Sequence, residues 1–274
     1  MAMRGHTIPV LLLILVSSSA ALALPYNSPL LDGHVTVGGS AGGEDWESDE
    51  WAVDDSPYDN RWGSNDPDLD DLYVTWDFYA LYFGITTDNV PSVYGNGYLL
   101  FIDTDAQSGI TGATDLTDCD FYPQRITFST MGVDVMYGVW NLDATTQDIK
   151  HCSDPTSTTS IDESYMVSDQ WWRHIEVAVS WNGLYALGDG TVPPGTKLRF
   201  IAAVVGGPTS GAYDAMPNSS TGFETDPSNP WDAYTDLDVY YEVVVDGDGD
   251  GVPDAGVTPV GAASWGRIKS MFVR

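Results

Sequence analysis

Apolar residues recur at every second position through most of the chain. In Leu72-Tyr73-Val74-Thr75-Trp76, the side chains of Leu72, Val74 and Trp76 share one side; after a turn at Asp77 to Tyr79, the run Leu81 to Thr86 continues the pattern, which predicts a hairpin. Further β-rich runs lie at Tyr98 to Asp103, Arg125 to Ser129, Asp134 to Trp140, Trp171 to Trp181, Lys197 to Val205 and Leu237 to Val245, bounded by Gly, Pro, Asn and Asp. No segment carries a long amphipathic helix, and one helical turn is predicted at Trp181 to Leu187, closing before Gly188. The pattern predicts an all-β fold over residues 24–245: an antiparallel two-sheet, jelly-roll-like β-sandwich in which each sheet buries one face. Long connections at Thr104 to Asp120, His151 to Asp169 and Gly206 to Asp232 read as functional or ion-bound loops.

The two ends differ from the body. Arg4 and His6 precede an apolar run from Ile8 to Val16 and a small-residue site at Ala21-Leu22-Ala23, so residues 1–23 read as a secretory signal peptide cleaved after Ala23. That run is short for a membrane anchor, no later segment approaches a transmembrane span, and the mature protein is expected to be secreted or held at the cell surface. At the other end, all acids lie at or before Asp254. A small-residue linker then leads to a basic, apolar tail with Trp265, Arg267, Ile268, Lys269, Met271, Phe272 and Arg274, so residues 257–274 form a linker and tail. The tail either docks on the acidic body or is read by export or surface-attachment machinery; the linker favours the second.

Charge narrows the partners. The chain holds 40 Asp and Glu against 10 Lys and Arg, a formal charge of −30, which repels phosphate backbones and excludes nucleic acid as a partner of the body. Its two cysteines, Cys119 and Cys152, are expected to pair as a disulfide in an oxidising compartment, in preference to a metal site with His151.

Three segments carry a resemblance. The run Asp71 to Asp88, with its Trp76-Asp77 turn, the strand Gly97 to Asp103 ending in Ile102-Asp103, and His174 to Leu184 with Pro193-Pro194-Gly195 following, resemble in order and spacing the DOMON-like sandwich domains, including the family 9 carbohydrate-binding modules. Ser180 stands where those families usually have Pro. The resemblance spans roughly residues 44–245. It implies a mostly non-catalytic domain whose relatives bind sugars, sometimes haem, and often carry structural calcium.

The residues themselves offer two chemistries. Asp246, Asp248, Asp250 and Asp254 alternate with glycines over residues 246–256, the pattern by which a loop wraps oxygen ligands around calcium, against the plainer reading of a solvated acidic linker. Asp66, Asp68 and Asp70, beside Asn65 and Asp71, form a weaker second cluster. For a glycan or polysaccharide, Trp172, His174 and Glu176 fall opposite the core parity of Ile175, Val177, Val179 and Trp181, giving a binding strip unless another segment covers it. Trp46, Trp51, Trp62 and Trp231 in acidic or Pro-rich loops are candidates for a second wall.

Enzymatic signals are weak. Gly38-Gly39-Ser40-Ala41-Gly42 fits a nucleophile-elbow pattern formally, but no helix is predicted after it. The expectation is a secreted, non-catalytic, calcium-stabilised carbohydrate-binding protein, with a calcium-bridged surface or adhesive structural protein as the alternative and a glycoside-processing enzyme last.

Overall fold

The computed structural model describes residues 27–37, 46–55, 68–88, 95–207, 209–220 and 234–254. The expected signal peptide, the expected C-terminal linker and tail, the Gly38 to Gly42 run, Trp62, Asp66 and Trp231 lie outside the described residues.

In chain order the strands are β1 (Trp51–Asp54), β2 (Asp68–Trp76), β3 (Ala80–Asp88), β4 (Gly97–Asp103), β5 (Ile126–Thr127), β6 (Val135–Trp140), β7 (Asp148–His151), β8 (Thr159–Ser160), β9 (Ser164–Asp169), β10 (His174–Ser180), β11 (Lys197–Val205), β12 (Ala212–Met216), β13 (Thr235–Asp236) and β14 (Tyr241–Val244). One antiparallel sheet runs β1-β2-β3-β10-β9. The other runs β12-β11-β4-β6-β7-β8, with β14 also pairing β11, and β13 pairs β5 in parallel beside it. The sheets pack face to face, so the fold is an all-β sandwich.

Period two dictates what lies between the sheets. Leu72, Val74 and Trp76, with Phe83, Ile85, Val177 and Val179, meet Leu100, Ile102, Val135, Tyr137, Phe200 and Ala202 in one apolar cluster. The predicted hairpin forms at Asp77, whose Oδ1 accepts the Tyr79 and Ala80 N–H groups at 2.7 and 2.9 Å and so fixes the reversal between β2 and β3. The predicted helical turn is α1 (Trp181–Tyr185). Its N-cap is Ser180, whose Oγ accepts the Gly183 N–H at 2.8 Å, a use for serine where the resembled families have proline.

Two features depart from expectation. Each sheet buries both faces over its central strands. The outer face of the second sheet, with Leu99, Phe101, Ile201 and Ala203, is covered by the long connection that carries Leu116, Ile126, Phe128 and Val133. The outer face of the first, with Tyr73, Tyr82 and Ala178, is covered by Leu31, Val35 and Trp46 of the N-terminal segment. Strand β4 is accordingly buried along its whole length, which is why Gly97 to Asp103 shows little alternation.

The predicted strand Trp171 to Trp181 is also shorter, because β9 ends at Asp169 and a turn through Gln170 to Arg173 precedes β10. Strands β8 and β9 occupy the connection expected as a loop from His151, and β12 occupies part of the one expected from Gly206. Their Ser, Thr and Asp content masked the alternation.

Candidate functional site

The expected sugar strip is oriented as its parity demands, but it is closed. Glu176 pairs with Gly84 across β10 and β3, and the missing side chain at Gly84 leaves room for the Trp46 indole, whose Cζ2 would lie 2.9 Å from an added Cβ. The Glu176 side chain is fully buried. Its Oε1 accepts Trp46 Nε1–H at 2.9 Å, and its Oε2 accepts the N–H groups of Asp32, Gly33 and His34 at 3.0, 2.7 and 3.2 Å. His174 Nδ1 accepts the Val35 N–H at 2.9 Å. Burial, then the neighbouring His34, pushes the His174 imidazole down to about 4, keeping it the neutral acceptor this contact needs. Glu176, His174 and Trp46 thus anchor an N-terminal strap that covers the strand face expected to bind a ligand. Such a strap satisfies buried acceptors that sugar hydroxyls would otherwise have met.

Trp172 is different. It lies in the β9–β10 turn, half exposed at 51%, beside Trp171 at 83%. The turn is fixed by Asp169, whose Oδ1 accepts the N–H groups of Trp171 and Trp172 at 2.7 and 2.8 Å, and by Arg173 in the left-handed region at φ 62°. The His34 ring stacks on Trp172 at 4.1 Å between centroids and on His174 at 5.3 Å, so the strap also holds one face of this indole. Next to Trp171 a 420 Å³ cleft presents Asp143, Ser168, Asp169 and Gln170. Trp51 is exposed too, on β1 at the opposite edge of the sheet, its Nε1–H donating to Asp71 Oδ1 at 2.6 Å. Trp51 therefore does not join Trp172 in one platform.

The Asp246 loop is built around one carboxylate. Asp246 is buried; its Oδ1 accepts the N–H groups of Gly249 and Asp250 at 2.8 and 3.2 Å, and its Oδ2 those of Gly195 and Gly251 at 2.8 and 2.9 Å. Burial alone raises such a carboxyl, but these four donors outweigh it and hold Asp246 below the usual carboxylate range. Gly249 and Gly251 have φ of 76° and 82°, left-handed turns that glycine adopts without strain. One oxygen each from Asp246, Asp248 and Asp254 lies within 4.8 Å of the others. Asp250 stands apart from this trio, its Oδ1 accepting the Val252 N–H at 2.8 Å. The loop is tied to the core by Trp76, whose Nε1–H donates to the Asp254 carbonyl at 3.0 Å.

Of the weaker acidic cluster, Asp66 lies outside the described residues. Asp68 is buried at the start of β2 and Asp70 accepts Thr86 Oγ1–H at 3.1 Å; neither belongs to a carboxylate trio among the described residues. The expected disulfide is also absent. Cys119 and Cys152 are free, buried thiols whose Sγ–H groups face the carbonyls of Phe121 and Val133. Burial pushes both thiols up, and each packs in the apolar layer outside the second sheet as a small hydrophobic side chain.

Sequence reasoning missed Trp171, His34 and a second trio, Asp103, Asp105 and Asp134, whose oxygens also lie within 4.8 Å of one another. Asp103-Thr104-Asp105 was a visible signal, but Asp134 joins it only through the β4–β6 register that pairs Ile102 with Val135.

Buried carboxyls set a pH dependence. Burial raises Glu50 from 4.5 to about 7 and Asp103 from 3.8 to about 7. Between the unfolded and folded values the folded state holds more protons, so stability is greatest below that window and is lost as pH rises through it. Chelator-treated protein is expected to melt higher at pH 5 than at pH 7.5, with a flatter slope in Glu50→Gln. Differential scanning calorimetry across that range checks this; an equal slope in the variant would contradict it.

No protein-family model and no curated protein matches the chain. Among the described residues, no helix is long and apolar enough to cross a membrane.

Proposed function

We propose that this chain is a secreted, non-catalytic glycan-binding β-sandwich stabilised by calcium in the Asp246 to Asp254 loop, with its sugar platform on the β9–β10 turn. The observation that carries this reading is the pair of adjacent indoles, Trp171 and Trp172, 83% and 51% exposed on a turn pinned by Asp169. Two large apolar rings held in water by a rigid turn provide flat faces for the C–H surfaces of pyranose rings, and the carboxylates and amides of the neighbouring cleft offer partners for hydroxyls. The resemblance to the DOMON-like and family 9 carbohydrate-binding domains supports the same class. For the loop, three clustered carboxylates supply the hard oxygen donors calcium takes.

A second reading, a calcium-bridged surface structural or adhesive protein, is favoured by the outward position of Asp248 and Asp250, both exposed on the loop. The two readings separate by retention on a panel of soluble and insoluble polysaccharides, with calcium and with chelator. The glycan reading predicts selective retention that falls about tenfold or more in the Trp171→Ala/Trp172→Ala double variant, a loss of roughly 1.4 kcal/mol. No retention on any polysaccharide, together with calcium-dependent self-association in sedimentation, would overturn it in favour of the second.

A further inference from the structure

We infer that Asp103, Asp105 and Asp134 form a second divalent-cation site, with calcium as its cation, distinct from the Asp246 loop and independent of the glycan reading. One carboxylate oxygen from each of the three lies within 4.8 Å of the others, at the end of β4 and the start of β6. Acidic groups at a protein surface gather without any ion, but two of these are not at the surface. Asp103 is fully buried and Asp134 is buried, while Asp105 is partly exposed and leaves the cluster open to solvent.

The decisive atom is Asp103 Oδ2. It is buried and has no hydrogen-bond donor among the described residues. Its nearest cation is Arg199, with Nη1 3.6 Å away. That guanidinium is engaged elsewhere: Nε donates to Glu242 at 2.9 Å, Nη1 donates to the Thr130 carbonyl at 3.3 Å, and the group lies 4.4 Å over the Tyr240 ring. Among the described residues Arg199 is the one cation paired with any of the three clustered carboxylates, and it is shared with Glu242, which also pairs with Lys197 at 3.9 Å. A buried anionic oxygen without a donor is costly, and a cation beside it removes that cost.

The surroundings hold the carboxylates in place. Asp134 Oδ2 accepts the N–H and Oγ1–H of Thr104 at 2.9 and 3.1 Å, and its Oδ1 accepts Ser153 Oγ–H at 3.0 Å. Asp103 Oδ1 accepts the Asp105 N–H at 3.2 Å, Asp105 Oδ1 accepts the Thr111 hydroxyl, and Tyr185 Oη–H donates to the Thr104 carbonyl at 2.8 Å. The donor set is oxygen only, which suits calcium and not the softer metals that take Cys or His; water completes the six to eight ligands calcium requires.

Calcium titration by isothermal calorimetry on the chelator-stripped full chain tests the assignment, with Asp103→Asn and Asp105→Asn read against Asp248→Ala. The two trios predict two calcium ions per chain. Each of the first two variants is expected to lose or weaken one of them by about tenfold or more while keeping the other, because ligand charge sets calcium affinity. Asp248→Ala is expected to keep the ion that Asp103→Asn loses. Asp105 lies in a partly exposed loop, so Asp105→Asn gives the answer even if Asp103→Asn fails to fold. Calcium binding unchanged in Asp105→Asn, or one ion per chain that Asp248→Ala alone abolishes, would overturn the proposal.

Discussion

Replacing Glu176 by alanine is expected to destabilise the protein by about 2–5 kcal/mol, since each buried donor left without an acceptor costs about 1–3 kcal/mol. The four donors it leaves behind belong to Asp32, Gly33, His34 and Trp46. The Gly33 N–H and the Trp46 Nε1–H contacts are buried, so water does not replace the carboxylate without opening the strap. Because Trp46 lies on Gly84 and packs 5.8 Å from Tyr73, releasing it also exposes the apolar layer outside the first sheet. For a domain of this size the loss corresponds to a melting temperature lower by about 10 °C. Glu176→Gln keeps one acceptor but turns an NH2 group towards the remaining donors, and should fall between alanine and the natural residue. Urea denaturation checks the series, and an alanine variant within about 0.5 kcal/mol of the natural protein, the scatter of neutral surface substitutions, would show that the strap is not anchored here.

Asp246→Ala is the second large effect. Four backbone N–H groups, from Gly195, Gly249, Asp250 and Gly251, lose their acceptor, and the loop loses the centre around which it turns. The expected cost near pH 7 is about 2–3 kcal/mol in chelator, before any metal is considered. Because these donors hold the Asp246 carboxyl below its usual range, its contribution is present above the unfolded value near 3.8 and is lost as pH falls through the folded one. Asp248 is exposed and, among the described residues, accepts the Asp250 N–H alone, at 3.1 Å. Its alanine variant should therefore keep its stability in chelator and lose only part of the stabilisation by calcium. Melting curves of both variants with and without calcium separate the two roles. Equal behaviour of the two variants in chelator would contradict the backbone account.

The interior of the sandwich was legible because alternation needs only local sequence. Leu72, Val74 and Trp76 fall on the core side as their spacing requires, and Lys197 to Val205 forms β11 with the expected bounds. The site was harder to read. Parity placed Trp172, His174 and Glu176 away from the core, but it carries no information about what lies on that side. The strap that seals Glu176 comes from more than 140 residues earlier in the chain. The unbroken apolar run in Tyr98 to Ile102 has the pattern of a strand buried on both faces, but the expectation was of sheets buried on one face only.

Proximity that depends on register was invisible for the same reason. Asp134 reaches Asp103 only through the pairing of β6 with β4. The cysteines show the converse: compartment reasoning supplied a disulfide, while the local carbonyls at Phe121 and Val133 gave each thiol a different partner.

The most direct test of the account compares glycan retention and melting temperature in the same two variants. On any polysaccharide the natural protein binds, Trp171→Ala/Trp172→Ala is expected to lower retention about tenfold or more, with only a small fall in melting temperature from the lost His34 stacking. Glu176→Gln is expected to lower the melting temperature and retain binding. If Glu176→Gln instead loses binding at full stability while the double tryptophan variant still binds, the strand face is the sugar site and the turn is not.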